Sequence, residues 1–206
     1  MQELIKEGYT TLKMLNPIGD DRRHEFKVNV DFRYSGGKNY NGPKIERAVK
    51  DKETGELRKE TVNLLENFGV NFMAVAQSGR PYTKAFSIMQ STIVGSYNGA
   101  NLPWSFFFDI IVDKRFPIKV NKHDTYFTVA LTVTNLFDIR NIRNVFPATG
   151  NPEDNGYLTD RETQATIASY LDPESFRDLY SIIYLHNGTW NYTSPRQFKL
   201  TLAYSF

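Results

Sequence analysis

Three histidines, scattered carboxylates and no cysteine are the raw material for chemistry in this chain. His24, His123 and His186 stand too far apart to give a metal-ligand spacing, and no Gly-x-Ser-x-Gly, His-Glu-x-x-His or phosphate-cradling glycine loop occurs. Without cysteine there is no disulfide framework, no thiolate metal ligand and no thiol nucleophile. Asp154-Asn155-Gly156 could open a calcium loop, but the remaining oxygen ligands are missing at the required spacing, so it reads as a turn. Asn187-Gly188-Thr189 and Asn191-Tyr192-Thr193 fit the glycosylation acceptor pattern, which matters only in a secreted eukaryotic setting, and are taken as chance in a polar loop. The expectation is no catalytic residue, no metal site and no cofactor: not an enzyme.

Charge and composition narrow the classes further. Lysine and arginine number 25 against 23 acidic residues, and a net charge of +2 is too small a field to imply a nucleic-acid partner. The longest apolar-looking stretch, Trp104 to Val112, is broken by Ser105 and Asp109, so no helix can cross a bilayer and any crossing must be made by strands. Met1-Gln2-Glu3-Leu4 has neither a basic nor an apolar leader region, which suits a mature form or a fragment better than a precursor with its signal peptide. Aromatics make up 14% of residues, yet mean hydropathy is −0.47, a combination that fits alternating strands better than a helical bundle.

Period-two alternation is the dominant pattern. From His24 to Tyr34 the residues Phe26, Val28, Val30, Phe32 and Tyr34 share one face, against Lys27, Asn29, Asp31 and Arg33 on the other. A second segment runs from about Asn63 to Ser78, setting Leu64, Phe68, Val70, Phe72, Ala74 and Ala76 against Asn63, Asn67, Gly69, Asn71 and Gln77, with Met73 and Val75 blurring the polar side. In the third, from Leu102 to Phe116, the residues Leu102, Trp104, Phe106, Phe108, Ile110 and Val112 oppose Ser105, Asp109 and Asp113, with Phe107 and Ile111 as exceptions on the polar side. After a turn at Pro117 to Asp124, the residues Phe127, Val129, Leu131, Val133 and Phe137 alternate with small polar ones. The chain ends on Phe198, Leu200, Leu202, Tyr204 and Phe206, alternating with Lys199, Thr201, Ala203 and Ser205.

The expected layout is an entry loop over 1–23, strands over 24–35, 63–78, 102–116, 124–137 and 197–206, and a long loop over 138–196. These strands are long enough for a tilted crossing of a bilayer, and aromatics gather near their ends, as in interface girdles. Connections alternate between short and long, except that the charged stretch from Gly36 to Val62 falls on the short-turn side with no account of its length. Within the long loop, Asp172-Pro173-Glu174-Ser175 sets an N-cap before a proline, with Phe176, Leu179, Tyr180 and Ile183 at helical spacing; Arg161 to Tyr170 is a second helix candidate.

Several of these segments carry a resemblance. Ser78-Gly79-Arg80-Pro81-Tyr82-Thr83, Asn98-Gly99-Ala100-Asn101-Leu102-Pro103-Trp104 and Asn135-Leu136-Phe137-Asp138 follow one another in the order of the C-terminal barrel strands of TonB-dependent outer-membrane receptors. Val145-Phe146-Pro147-Ala148-Thr149-Gly150 and Asp154-Asn155-Gly156-Tyr157-Leu158 then resemble that family's last external loop, and Asp21-Arg22-Arg23-His24 an entry into an earlier strand. Asn101 departs from the pattern, which has Arg there. The terminal Phe198, Leu200, Leu202, Tyr204 and Phe206 resemble the strand signal read by the barrel-assembly machinery of Gram-negative outer membranes.

The resemblance implies an all-β fold of antiparallel transmembrane barrel strands, a partial barrel of about five, with long external loops and a short loop helix. It implies residence in the cell outer membrane and import of a nutrient, with energy reaching the barrel from TonB through a plug region that this chain lacks. A family barrel has about 22 strands, so the remaining strands and the plug would come from the same polypeptide or from other chains. Lys27, Asn29, Asp31, Arg33, Asn67, Asn71, Asp109 and Asp113 would line the lumen, with outer-membrane lipid on the opposite face. Arg80, Tyr82, Tyr97, Trp190 and Tyr192 are the loop candidates for touching a ligand, Trp190 and Tyr192 foremost because aromatic rings make ligand platforms. Two other readings remain open: a structural barrel subunit or assembly client in a larger membrane complex without transport, and a soluble β-sandwich that binds carbohydrate.

Overall fold

Alternating β-branched and aromatic residues favour an extended backbone, and in the computed structural model they form strands wherever the alternation is strongest. The structure describes residues 15–50, 57–88, 92–120, 123–180, 182 and 191–205. Nine strands are present among them: β1 (Glu25–Arg33), β2 (Lys44–Lys50), β3 (Leu57–Asn63), β4 (Phe68–Gln77), β5 (Pro81–Tyr82), β6 (Ala100–Asn101), β7 (Ser105–Val120), β8 (His123–Thr134) and β9 (Gln197–Ser205). Two helices follow β8, α1 (Arg161–Ala168) and α2 (Pro173–Tyr180). The fold is mostly antiparallel β-sheet, and no helix among the described residues is long and apolar enough to cross a membrane.

The main sheet has five strands in the order β1-β4-β7-β8-β9. Hydrogen bonds from Ser78 N to His24 O and from Tyr34 N to Phe68 O fasten the two ends of β1 antiparallel to β4. Registers such as Leu131 opposite both Val112 and Leu200, and Phe127 opposite both Phe116 and Tyr204, put most apolar residues of β7, β8 and β9 on one face. On the other face Ala130 lies between Asp113 and Thr201, and Thr132 between Ile111 and Lys199.

Burial on this sheet runs opposite to that of a water-soluble core. Val30 is 54% exposed, Phe32 54%, Leu200 64% and Phe198 68%, whereas Asp113 is only 8% exposed. Among the described residues of the five strands, Val133 is the single buried aliphatic side chain.

The chain clusters into two compact units. One comprises Phe26–Ala76, Phe106–Ile139 and Ser194–Phe206 and holds the body of this sheet. The other comprises Met1–Glu25, Gln77–Ser105 and Arg140–Thr193, and holds the β5–β6 pair and both helices, with Ala85, Leu102, Ile167 and Tyr180 buried.

The expected layout needs four corrections. The segment Asn63–Ser78 is not one strand: Asn67 adopts φ 54°, which turns the chain between β3 and β4, so Asn67 is a turn residue and not a member of a strand face. The unexplained stretch after Gly36 holds the β2–β3 hairpin, with Ile45 opposite Val62 and Arg47 opposite Glu60. Pro117 begins no turn, because β7 runs through it to Val120. Arg115 N donates to Asn67 O, so two residues later Pro117 turns its missing N–H to the side where β4 has already ended, and no ladder bond is lost. Finally β8 stops at Thr134, where Asn135 and Asp138, both at φ 55°, reverse the chain.

The expected helices are present. Asp160 caps α1 by accepting from Glu162 N, and Asp172 caps α2 by accepting from Ser175 N at 3.0 Å. Asp154 and Asn155 form consecutive turns, their side-chain oxygens accepting from Gly156 N at 2.8 Å and Tyr157 N at 3.0 Å.

Candidate functional site

In the sheet unit, the polar face converges on one ion pair. The Arg33 guanidinium on β1 grips Asp113 on β7 with two nitrogens, Nη1 to Oδ2 at 3.1 Å and Nη2 to Oδ1 at 3.0 Å, while its Nε donates to Asp31 at 2.9 Å. This is the forked geometry that a planar guanidinium offers a carboxylate. Between β1 and β7 runs β4, and the reach is possible because Gly69 stands there: a Cβ at Gly69 would sit 2.8 Å from Arg33 Nη1 and 2.8 Å from Asp113 Oδ1. Asn71 donates to Asn29 at 2.8 Å on the same face, and Lys27 is exposed. Five of the expected lumen residues therefore form polar contacts with one another, in two groups: Arg33 with Asp31 and Asp113, and Asn71 with Asn29.

Asp109 does something else. Its carboxylate accepts from Asn135 N at 2.9 Å and so belongs to the knot that ends β8. The Asn135 side chain accepts from Ile139 N at 2.9 Å and donates to Ile139 O and Ser194 O, both at 3.1 Å. Asp138 accepts from Arg196 N at 2.8 Å, and Arg196 donates back to Leu136 O. The Asn-Leu-Phe-Asp motif thus ties the exit of β8 to the entry of β9. Alternation could not reveal this role, because Asn135 looks like one more polar residue on a strand.

Beside β2 and β3, Tyr40 is buried, donating to Pro43 O at 2.6 Å and accepting from Leu65 N at 3.1 Å. Glu66 is held below the usual carboxylate range by the backbone N–H of Gly37, and next by the Asn63 amide. Neither residue was singled out by the sequence.

In the other unit, segments separated by tens of residues meet. Ser78 Oγ accepts from His24 N and Ser78 O from Arg22, each at 3.1 Å. Gly79 presses on the Leu102 carbonyl so closely that a Cβ there would lie 1.5 Å from the oxygen. Pro81 pairs with Asn101 and Tyr82 with Ala100, which joins the Ser-Gly-Arg-Pro segment to the Asn-Gly-Ala-Asn segment. Ala85 N donates to Pro147 O at 3.0 Å, and a Cβ at Gly150 would touch the Tyr82 hydroxyl, which brings in the Phe-Pro-Ala-Thr-Gly segment.

Arg80 and Tyr82 line a cleft of about 220 Å³ with Gly19, Leu102, Asn144 and Val145. Arg80 is engaged there, donating to Asp20 at 3.1 Å and to Arg143 O at 3.2 Å. Of the other loop candidates among the described residues, Tyr97 and Tyr192 do not line this cleft. Tyr97 is 57% exposed. Tyr192 bonds Glu153 at 2.8 Å, and burial, followed by that bond, raises its phenol above the ordinary value. Trp190 lies outside the described residues, as do His186, Ile183, the Asn187 sequon and Phe206. His24 stacks on Trp104 with 6.1 Å between ring centres, and His123 lies in β8.

Comparison with family models, with curated proteins and with solved structures yields no match.

Proposed function

We propose that this chain contributes wall strands and external loops to a TonB-dependent transporter of the Gram-negative outer membrane, which imports a scarce nutrient. One observation carries the reading: the five-stranded sheet leaves its apolar face open, with Phe26 63% and Leu202 60% exposed, while the opposite face closes a buried aspartate into an ion pair. In water such a face costs about 25 cal/mol for each Å² of apolar surface left uncovered. Hydrocarbon removes that cost, and a watery lumen suits Lys27, Asn29, Asp31 and Arg33.

Two further features support the reading. The sheet has outer strands, β1 and β9, at its two margins, and open edges are not tolerated in lipid, so more strands would complete the wall. The segments that resemble the receptor family also come together in space, Ser78 with His24 and Gly79 with Leu102. Outer-membrane lipid, the barrel-assembly machinery, a plug and TonB are then the partners.

Fractionation of the natural full-length product tests this. The expected result is recovery in the outer membrane with a gel mobility that shifts on heating. Recovery in the soluble fraction without detergent would contradict the proposal and favour a two-sheet particle.

A further inference from the structure

Four Asn-Gly pairs occur in the sequence, at Asn41, Asn98, Asn155 and Asn187, the last outside the described residues. Such a pair can close on itself. The backbone nitrogen of the glycine loses its proton and attacks the asparagine side-chain carbonyl carbon, forming a C–N bond as the C–NH2 bond breaks and ammonia leaves. Water then opens the resulting succinimide at either carbonyl, giving aspartate or an isoaspartate whose backbone runs through the former side chain. The reaction needs a free side-chain amide, a free glycine N–H and room for the two to approach.

At Asn98 these conditions fail. Its amide donates to Pro17 O at 2.7 Å, its oxygen accepts from Thr83 Oγ1 at 3.3 Å, and the attacking nitrogen of Gly99 is held by Ser96 O at 3.1 Å. Asn155 is tied in the same way: its amide donates to Tyr180 at 2.7 Å, its oxygen accepts from Tyr157 N, and Gly156 N donates to Asp154 at 2.8 Å. Asn41 is exposed, and among the described residues no hydrogen bond holds either its amide or Gly42 N.

We propose that Asn41–Gly42 is a spontaneous modification site, where the folded chain converts asparagine to aspartate and isoaspartate while Asn98 and Asn155 stay protected. The fold keeps the vulnerable glycine in place, because a Cβ at Gly42 would lie 2.6 Å from the Tyr40 hydroxyl and within 2.8 Å of two of its ring carbons. Isoaspartate inserts an extra backbone atom between Tyr40 and Pro43, the two residues joined by the 2.6 Å bond from the Tyr40 hydroxyl. Conversion therefore loosens the anchor that also receives Leu65 N. None of this depends on the transporter reading.

Incubating the folded full chain at mildly alkaline pH, followed by peptide mapping that separates aspartate from isoaspartate, tests the site. Conversion at Asn41 is expected to run at least several-fold ahead of Asn98 and Asn155. In the urea-unfolded chain, the three rates are expected to converge. Asn41→Gln is expected to block the reaction at this position, since its longer side chain would have to close a less favourable ring. Equal rates at all three positions in the folded chain, or faster loss at Asn98 or Asn155, would overturn the assignment.

Discussion

Arg33 and Asp113, 80 positions apart in sequence, meet across an intervening strand because the residue between them has no side chain. Gly69 leaves the space through which the guanidinium reaches the carboxylate. Asp113 keeps 11% of its side chain exposed, so its charge is largely removed from water and depends on this partner.

Gly69→Ala is expected to push the pair apart and to destabilise the sheet by about 1 to 3 kcal/mol, the range for overpacking a tight site. In the Arg33→Ala background much of that cost should vanish, because one of the two crowded groups is gone. Denaturant midpoints of the four proteins in a double-mutant cycle give the coupling directly. Additive losses would mean that Gly69 is needed for some other reason.

Asn135→Ala is expected to cost about 2 to 4 kcal/mol, because it strips the partners from Ile139 and Ser194 and puts a Cβ-bearing residue without side-chain bonds at positive φ. Asn135→Gly keeps the backbone at ease and should fall between wild type and alanine. Unfolding midpoints rank the three, and a glycine variant no better than alanine would show that φ 55° carries no strain at this corner.

Tyr192 offers a pH test. Its folded phenol is raised above the ordinary value, by burial first and the Glu153 bond second, so the neutral hydroxyl is the form the fold prefers. The stabilisation is present below the phenol's unfolded pKa and is lost as pH rises through the raised folded value. Tyr192→Phe should remove one alkaline step from the absorbance titration and leave the region below that step unchanged. Loss of that step from the ordinary phenol range instead would show that the fold does not raise Tyr192.

Asp172 works in the opposite direction. Hydrogen bonds from the Ser175 side chain and then its backbone lower its carboxyl, so its cap is complete above the unfolded carboxylate pKa and is lost as pH falls through the depressed folded value. Protection of the α2 amides, measured against their intrinsic exchange at each pH, is expected to fall in acid, and Asp172→Ala should show the lower protection at every pH. Protection independent of both would place the strength of α2 in the Tyr157, Phe176 and Tyr180 ring contacts.

Strands with clean alternation could be read from the chain because a period of two requires only local side-chain order: β1 and β9 fall within their expected ranges. The helix from Pro173 could be read because Asp172 is a local cap, and Asp160 carries the same local signal before α1. Three features were hidden. The β2–β3 hairpin carries charge on nearly every second residue and little apolar contrast. Pro117 signals a break unless one knows which side of β7 is open, and that is a tertiary fact. Gly69, Gly79 and Gly42 owe their places to what approaches them in space, and no spacing rule shows it. At the loop candidates, residue type suggested aromatic platforms, but packing alone separates Arg80 and Tyr82, which share a cleft, from Tyr192, which clamps Glu153.

In the proposed wall, one face of the main sheet meets hydrocarbon. Since the chain has no cysteine, single replacements at Val30, Leu131 and Leu200 can each carry an environment-sensitive probe in the full-length protein reconstituted into vesicles. All three probes should report a hydrocarbon environment and be quenched by lipid-borne quenchers, while a probe at Asn29 on the opposite face should be quenched from water. Quenching of Val30, Leu131 and Leu200 by water-soluble reagents alone, or protection from both kinds of quencher in a particle free of lipid, would contradict the account.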